Sequence, residues 1–375
     1  MNKRVVLSER CVLYGEKSKM FKGKQQMSKI KILTGVNYFA GWWEPLPNKW
    51  RRHGSSQSSE YGDDWRPDFP ERVPLLGCFN TQETMDKEIL AAAEYGVDFF
   101  PILWYYNEKD SEREPHSHHL NNGLKHFIAS PNADRMRFFI EFCNHPPYEV
   151  QTDQQWRECL ESWSEAFGHP SYLTVGERLV FKVHGAFYFI QQNNGDLARC
   201  KKQLDSLRAA AKQATGKEMI IGGGVMAAQS IGKDDPISEI FDFTCTYMDI
   251  PPYPRIEGDY PYEMLGDLCR AARHIHTHDA KPYMPYLPGG WSPRPWPDKR
   301  ACFELPNRSQ WAEELKRMKE DLQSLPNMGL PLPDGTLQPA FNIYAWNEFG
   351  EGGIVAPTQR FLYMKLEEIK KAFKG

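Results

Sequence analysis

The chain of 375 residues lacks the cysteine spacing of a disulfide or zinc framework. Its eight cysteines include no C-x-x-C pair, and the two that lie closest together in the sequence are Cys143 and Cys159. Several cysteines fall in apolar runs, where a free thiol behaves as a small buried hydrophobic group. This usage favours a reducing compartment, and we expect a cytoplasmic protein.

The sequence also lacks a strong excess of one charge and any long apolar run. Its formal net charge is -3 at pH 7, which argues against nucleic acid or an anionic membrane surface as the principal partner. No apolar stretch is long enough to span a bilayer, so we predict no membrane insertion. Residues 1–30 are basic and polar, without the apolar segment of a signal peptide, and we predict a disordered leader there.

Residues 31–375 alternate between short apolar segments and amphipathic helical patterns. The helical stripe Cys200, Leu204 and Leu207, for example, follows Asp196 as a candidate N-cap and ends at Gly216. The predicted strands cover residues 32–39, 97–105, 137–144, 179–184, 219–224, 241–247, 282–287 and 340–346.

Eight apolar strands alternating with helices predict the α/β class, as one (β/α)8 TIM barrel with long loops at its C-terminal face. The alternative is a doubly wound open sheet. No G-x-G-x-x-G fingerprint follows the first strand, however, and Gly222-Gly223-Gly224 lacks the spacing of a phosphate loop.

Two carboxylates, Glu348 and Glu351, lie where the last predicted strand opens into a glycine-rich loop. A buried, aromatic setting disfavours ionisation, and a second carboxylate nearby separates the two titrations. Glycoside hydrolysis requires such a pair, with one group as proton donor and the other as base or nucleophile. The alternative is a helix N-terminus at which both residues serve the helix dipole and a cap.

The segment at residues 346–352, W-N-E-F-G-E-G, resembles the W-N-E-W-x-E-G signature of glycoside hydrolase family 99 and of the family-99-like bacterial polysaccharide-processing proteins. Phe349 stands where the second tryptophan is usual, and Ala356 stands where the family often has Glu. Further segments that look like this group cover residues 37–43, 97–106, 129–132 and 290–295.

The resemblance implies a (β/α)8 barrel that cleaves α-mannosides within a chain, with retention of configuration. It implies that Glu348 acts as base on the sugar's own 2-hydroxyl group, giving a 1,2-anhydro intermediate, and that Glu351 is the acid/base. Asn347 would orient them.

The barrel prediction also indicates which side chains surround the two acids, because active sites in this fold form at the C-terminal ends of the strands. Aromatic faces there suit stacking on sugar rings, although such rings also pack as barrel walls, and a rim histidine is often a hydrogen-bonded wall residue. The candidate substrate-binding residues are Tyr38, Trp42, Trp43, Trp104, Tyr105, Asn144, His184, Tyr247, Trp291, Trp346 and Asn347.

We predict no metal and no cofactor. His116, His118 and His119 fall in a polar segment, and His274, His276 and His278 cannot share one helix face. The functional hypothesis is a glycoside hydrolase whose partner is an oligosaccharide or polysaccharide. The alternatives are a non-hydrolytic carbohydrate-binding protein or a polysaccharide-biosynthesis accessory protein built on the same barrel.

Overall fold

The computed structural model describes residues 31–44, 46, 48–52, 62–107 and 117–374. The predicted leader over residues 1–30 lies outside this range, as does His116 of the histidine-rich segment. The disordered leader and the absence of a metal ion at His116 therefore stay predictions.

The strands follow the predicted order along the chain, with a few short additional pairs. They are β1 Leu33–Val36, β2 Phe99–Tyr105, β3 Arg137–Cys143, β4 Thr174–Val175, β5 Arg178–Val183, β6 Met219–Gly224, β7 Phe243–Cys245, β8 Tyr283–Met284, β9 Tyr286–Pro288, β10 Leu330–Pro331, β11 Leu337–Gln338, β12 Ala340–Tyr344, β13 Asn347–Glu348 and β14 Gly353–Ile354.

The α-helices lie between these strands, except α9, which follows β14. They are α1 Gln82–Glu94, α2 Asn122–Ala129, α3 Asp153–Phe167, α4 Ala186–Gln192, α5 Leu197–Thr215, α6 Pro236–Ile240, α7 Glu263–His276, α8 Arg308–Ser324 and α9 Met364–Phe373.

Parallel pairing joins the main strands into a closed ring. The order of hydrogen-bonded neighbours is β8-β7-β6-β5-β3-β2-β1-β12-β9, and β8 and β9 are successive pieces of one strand separated by Pro285. Proline has no N–H to donate, but its carbonyl accepts a hydrogen bond of 2.9 Å from Asn342 N on β12. One broken strand therefore bonds β7 on one side and β12 on the other. The predicted (β/α)8 barrel is confirmed.

Local sequence signals explain where several helices begin and where α5 ends. Asp196 caps α5 by accepting from Arg199 N, and Gly216 ends the helix in the left-handed region at φ 73°. Two other helices begin at side-chain caps. Thr81 caps α1 by accepting from Thr84 N, and Asn307 opens α8 through a capping box with Gln310.

The barrel interior contains a buried ion pair beneath its C-terminal mouth. Glu141 on β3 and Lys182 on β5 are register neighbours, and their Oε1 and Nζ atoms lie 2.7 Å apart with both side chains inaccessible to solvent. Asn37 Nδ2 donates to the other oxygen of Glu141 at 2.7 Å. A buried charge pair is costly unless its remaining hydrogen-bonding capacity is satisfied, and Asn37 satisfies the second oxygen of Glu141.

Candidate active site

A cavity of about 500 Å³ opens at the C-terminal ends of the barrel strands. Because each strand of a parallel barrel delivers its following residue to the same rim, side chains from distant parts of the sequence meet there. The lining includes Phe39, Trp43, Lys49, Tyr105, His145, Tyr148, His184, Tyr188, Tyr247, Trp291, Trp296, Arg300, Tyr344, Glu348 and Glu351.

The two carboxylates stand on a short antiparallel hairpin that follows β12. Glu348 pairs with Gly353 in the β13–β14 ladder, and its carbonyl accepts from Glu351 N at 3.1 Å and Gly352 N at 2.9 Å. Gly352 has φ 81°, a conformation that side chains disfavour. The helix N-terminus considered for these residues is therefore replaced by a tight turn that presents both carboxylates to one cavity.

Glu348 is buried in the cavity wall and accepts a hydrogen bond of 2.9 Å from the Tyr247 hydroxyl group at Oε1. Burial, reinforced by repulsion from Glu351, raises the pKa of Glu348 to about 8. The Tyr247 hydrogen bond opposes this rise because it favours the ionised form. Glu348 is thus a carboxyl group whose protonation changes close to neutral pH.

Glu351 has a different environment at the cavity surface. The hydroxyl group of Tyr344 donates to its Oε2 atom, and Arg300 Nη2 donates to Oε1 at 3.1 Å. Arg300 is itself held by Asp298 and lies over the ring of Trp291, 4.4 Å from its centroid. Each carboxylate therefore has its own tyrosine donor, and the rings of Tyr247 and Tyr344 meet edge to face at 5.0 Å.

The backbone of the turn is fixed by contacts from outside the hairpin. Arg72 Nη1 donates to the carbonyl oxygens of Phe349 at 3.3 Å and Gly350 at 3.2 Å, and also to that of Ser292 at 2.7 Å. Ser292 N in turn donates to the carbonyl of Glu351 at 2.6 Å. Every backbone carbonyl from Glu348 to Glu351 thus accepts a hydrogen bond. The carboxylate side chains of Glu348 and Glu351 therefore project from a backbone that is held in place.

His184 connects the buried ion pair to the cavity. His184 lines the cavity and its Nδ1 atom lies 2.7 Å from Oε1 of Glu141. Burial alone would raise the pKa of Glu141, but the charge of Lys182 and the contact with His184 outweigh burial and lower it. Glu141 therefore stays ionised and orients the His184 ring at the cavity floor.

Several of the predicted substrate-binding residues do line this cavity. They are Trp43, Tyr105, His184, Tyr247 and Trp291. The side chain of Trp43 stacks on His119, with ring centroids 5.3 Å apart. Trp291 is fixed by its indole N–H, which donates to the carbonyl of Ala301 at 3.0 Å.

The remaining predicted residues face away from the cavity, which corrects the expectation that they surround the substrate. Tyr38 points toward α1, where its hydroxyl group donates to Glu88 Oε2 at 2.7 Å. Trp104 packs between barrel and helix against Trp163, at 5.1 Å. Trp346 lies 5.2 Å from Phe100 in the same outer layer. Side chains alternate along a strand, so one residue of each neighbouring pair points outward.

Trp42, Asn144 and Asn347 are scaffold contacts behind the wall. Trp42 is buried in a cluster of aromatic rings and donates from Nε1 to the carbonyl of Asn347 at 2.7 Å. The amide of Asn144 bonds both backbone groups of Gly185, at 3.0 and 2.9 Å. The amide of Asn347 does the same to Phe39, at 2.8 and 2.9 Å. These amides fix loop backbones rather than face a ligand.

Sequence reasoning missed several residues that line the cavity, including Lys49, Tyr188, Arg300 and Tyr344. Tyr344 could have been found from the two-residue period of the last strand, since it shares a face with Asn342. Lys49 and Arg300 belong to loops, where no periodic pattern marks an inward side chain.

Within the described residues, no group of three or more His, Cys, Asp or Glu side chains is arranged to hold a metal ion. His276 is buried and bonds Asp279 at 2.6 Å instead. None of the helices in the described part of the chain is both long and apolar enough to cross a membrane.

No protein-family model and no curated protein matches the chain. Among solved structures it is similar to one titled a glycoside hydrolase-like protein, with 12% identity, a TM-score of 0.57, and coverage of 92% of this chain and 94% of that one. It is also similar to a GH99 endo-α-mannosidase from Bacteroides thetaiotaomicron, with 13% identity, a TM-score of 0.53, and coverage of 91% and 96%. At these identities the likeness establishes the shared barrel fold.

Proposed function

We propose that the protein is a glycoside hydrolase that cleaves an α-mannoside-like bond within an oligosaccharide or polysaccharide, with retention of configuration. The observation that carries the proposal is the hairpin that presents Glu348 and Glu351 to one aromatic-lined cavity, each with its own tyrosine donor. The W-N-E-F-G-E-G segment and the barrel shared with a GH99 endo-α-mannosidase support the choice of substrate class.

In this proposal the buried carboxylate of Glu348 takes the proton of the sugar's 2-hydroxyl group. The freed oxygen attacks the anomeric carbon, the bond to the leaving oxygen breaks, and the carboxyl group of Glu351 donates its proton to that oxygen. Glu351 then takes a proton from water, which opens the 1,2-anhydro ring and returns the proton to the 2-hydroxyl by way of Glu348. The high pKa of Glu348 suits this role, because base strength rises with pKa.

The remaining cavity groups bind and orient the sugar. The apolar faces of Trp43 and Tyr105 suit the C–H faces of a pyranose ring. His184, fixed by Glu141, offers its second ring nitrogen to a hydroxyl group.

The test is hydrolysis of α-linked manno-oligosaccharides and of aryl α-mannosides with a good leaving group. Glu351→Gln should lower turnover of the oligosaccharide by roughly 100-fold or more, because the amide cannot donate the required proton. The aryl glycoside needs less acid assistance and should be hydrolysed much faster by this variant than the oligosaccharide is. Glu348→Gln should be slow on both substrates, since the base is needed in each case.

Glu88→Gln is the matched control. Glu88 is also buried, also accepts from a tyrosine hydroxyl group, and also has a raised pKa, about 7, chiefly through burial, but it lies behind the barrel wall. Its amide variant should keep normal turnover. Full activity of Glu351→Gln, or binding of sugars by a wild-type protein that hydrolyses none of them, would refute the proposal and favour a carbohydrate-binding role.

A further inference from the structure

A second hollow of about 250 Å³ adjoins the cavity of the two carboxylates. The two spaces share Met248, Ile250 and Arg300, so they are parts of one trough divided at Arg300. The outer part follows β7 and is lined by Asp249, Pro251, Pro252, Tyr253 and Ala301 in addition to the shared residues. Arg300 also bonds Glu351, so the outer part lies next to the site at which a chain would meet that carboxylate.

Tyr253 is the aromatic side chain that the outer part of the trough offers to a ligand. Its exposed fraction is 42%, although it is a large apolar residue. Behind it lie the rings of Tyr260, at 5.2 Å, and Phe303, at 6.4 Å. Tyr260 and Phe303 also contact each other at 5.5 Å, and Phe303 is fully buried.

The backing of Tyr253 is fixed by polar contacts. The Tyr260 hydroxyl group donates to the carbonyl of Pro254 at 3.1 Å, and the backbone of Tyr260 bonds that of Cys302 and Glu304 at 2.8 and 2.9 Å. A ring held in place before binding loses little conformational entropy when a ligand stacks on it. A ring that packs against fixed neighbours and is exposed beside a cavity is therefore suited to a flat, partly apolar ligand.

Two charged groups complete the trough around this ring. Arg300 lines both parts of the trough and offers guanidinium N–H donors where the two parts meet. Both oxygens of Asp249 are held by the backbone, accepting from Ala227 N and Ile250 N at 2.9 Å each. A carboxylate oxygen can accept more than one hydrogen bond, so Asp249 retains capacity for hydroxyl donors. An aromatic face flanked by fixed donors and acceptors matches the alternating C–H and O–H surfaces of a pyranose.

We propose that Tyr253, Asp249 and Arg300 form a further sugar-binding subsite, in which the Tyr253 ring stacks on a pyranose residue of the chain whose neighbouring bond lies at Glu348 and Glu351. The inference rests on the proposed function for the identity of the inner cavity. It implies that affinity grows with chain length, because a short glycoside fills only the inner part of the trough.

The test is calorimetric titration of Tyr253→Ala with a di-, tri- and tetrasaccharide ladder of α-linked manno-oligosaccharides, and with matching gluco- and galacto-ladders. All titrations use the Glu351→Gln background, so that no ligand is consumed. The parent variant should bind the tetrasaccharide of one ladder more tightly than its disaccharide. Tyr253→Ala should weaken tetrasaccharide binding roughly 10-fold, about 1.4 kcal/mol, and leave disaccharide binding unchanged.

Two further variants separate stacking from other effects. Tyr253→Phe keeps the ring and should bind as the parent does. Phe187→Ala removes another exposed aromatic residue, with an exposed fraction of 68%, that lines neither part of the trough, and it should also bind normally.

Three outcomes would overturn the subsite: equal losses for short and long sugars in Tyr253→Ala, unchanged affinity for both, or no gain in affinity with length in any ladder. Failure of the proposed function looks different. In that case the length-dependent binding and its loss in Tyr253→Ala remain, while wild-type protein hydrolyses none of the bound sugars.

Discussion

Tyr247 and Glu348 are joined by a hydrogen bond of 2.9 Å across the cavity wall, from the phenol hydroxyl group to Oε1. They come from the loop after β7 and the hairpin after β12, and the ring of Tyr247 also lies 4.8 Å from that of His184. Lys182 approaches the same ring from below, 5.6 Å from its centroid. A single tyrosine thus connects the buried ion pair of the barrel with the carboxyl group that titrates near neutral pH.

The pH dependence of hydrolysis should show this connection. With an aryl glycoside, which needs little acid assistance from Glu351, the ionised form of Glu348 is the active base, so kcat/KM should rise as the pH increases through about 8, the pKa to which burial and Glu351 raise this group. Tyr247→Phe removes a hydrogen bond that favours ionisation and should move that rise to higher pH. Tyr38→Phe, which removes the equivalent donor from Glu88, should leave the profile unchanged. A kcat/KM for the aryl glycoside that does not rise through about pH 8 would contradict the role of Glu348 as base.

The same shift in pKa predicts a change in stability. A carboxyl group whose pKa is higher in the folded protein than in the unfolded chain binds its proton more tightly when folded. Its contribution is fully present below the unfolded pKa, near 4.3, and is lost as the pH rises through about 8. Urea unfolding should therefore find Glu348→Gln increasingly more stable than wild type as the pH is raised from 4 to 9. A constant difference across this range would contradict the shift.

Arg72 should affect turnover through the turn that it holds. Arg72→Ala leaves the carbonyls of Phe349 and Gly350 without their donor, so the spacing of the two carboxylates is no longer fixed. We expect kcat to fall roughly 100-fold with a small change in KM, since a shift of about 1 Å costs that much. Added guanidinium ion, at concentrations too low to unfold the protein, should restore part of the rate by filling the vacated space.

Arg273→Ala serves as the control for Arg72. Arg273 is equally buried, but it bonds Asp321 between α7 and α8, away from the cavity. This variant should lose stability while its folded fraction turns over normally and shows no rescue. Equal loss of turnover in both variants would mean that Arg72 acts through general stability alone.

Trp104 and Trp43 should differ in what their removal changes. Trp104 packs against Trp163 and Phe142 outside the barrel, so Trp104→Ala should cost about 3–5 kcal/mol in the free energy of unfolding and leave the affinity of the folded protein for sugar intact. Trp43 lines the cavity, so Trp43→Ala should weaken sugar binding by roughly 1–3 kcal/mol. Denaturant unfolding and calorimetry measure the two quantities separately. A binding defect in Trp104→Ala would contradict its placement.

The barrel could be predicted because its signals are local and repeated. Each strand is a short apolar segment and each intervening helix carries its own stripe and cap, as α5 does between Asp196 and Gly216. The predicted strand over residues 219–224 is the observed β6, and most other boundaries moved by only a few residues. Strand position was also enough to locate Glu348 and Glu351 at the C-terminal mouth.

The walls of the cavity were harder to predict, because neighbouring residues point in opposite directions. Trp42 and Trp43 are adjacent and chemically equal, yet the first packs behind the wall and the second lines the cavity. Outside a regular strand no period assigns those directions. Arg72 was not foreseen for a related reason, since its carbonyl partners lie more than 200 positions away in the chain.

The two-way bond between the amide of Asn347 and the backbone of Phe39 has a consequence for biosynthesis. It joins groups 308 positions apart, beside the β1–β12 pairing that closes the ring. A nascent chain that has left the ribosome only as far as β9 carries Tyr105, His184 and Tyr247 but neither acid. On the proposed function, hydrolysis would begin only after β12 and the hairpin that follows it have joined the ring. The first activity detected during synthesis would therefore mark the last step of folding.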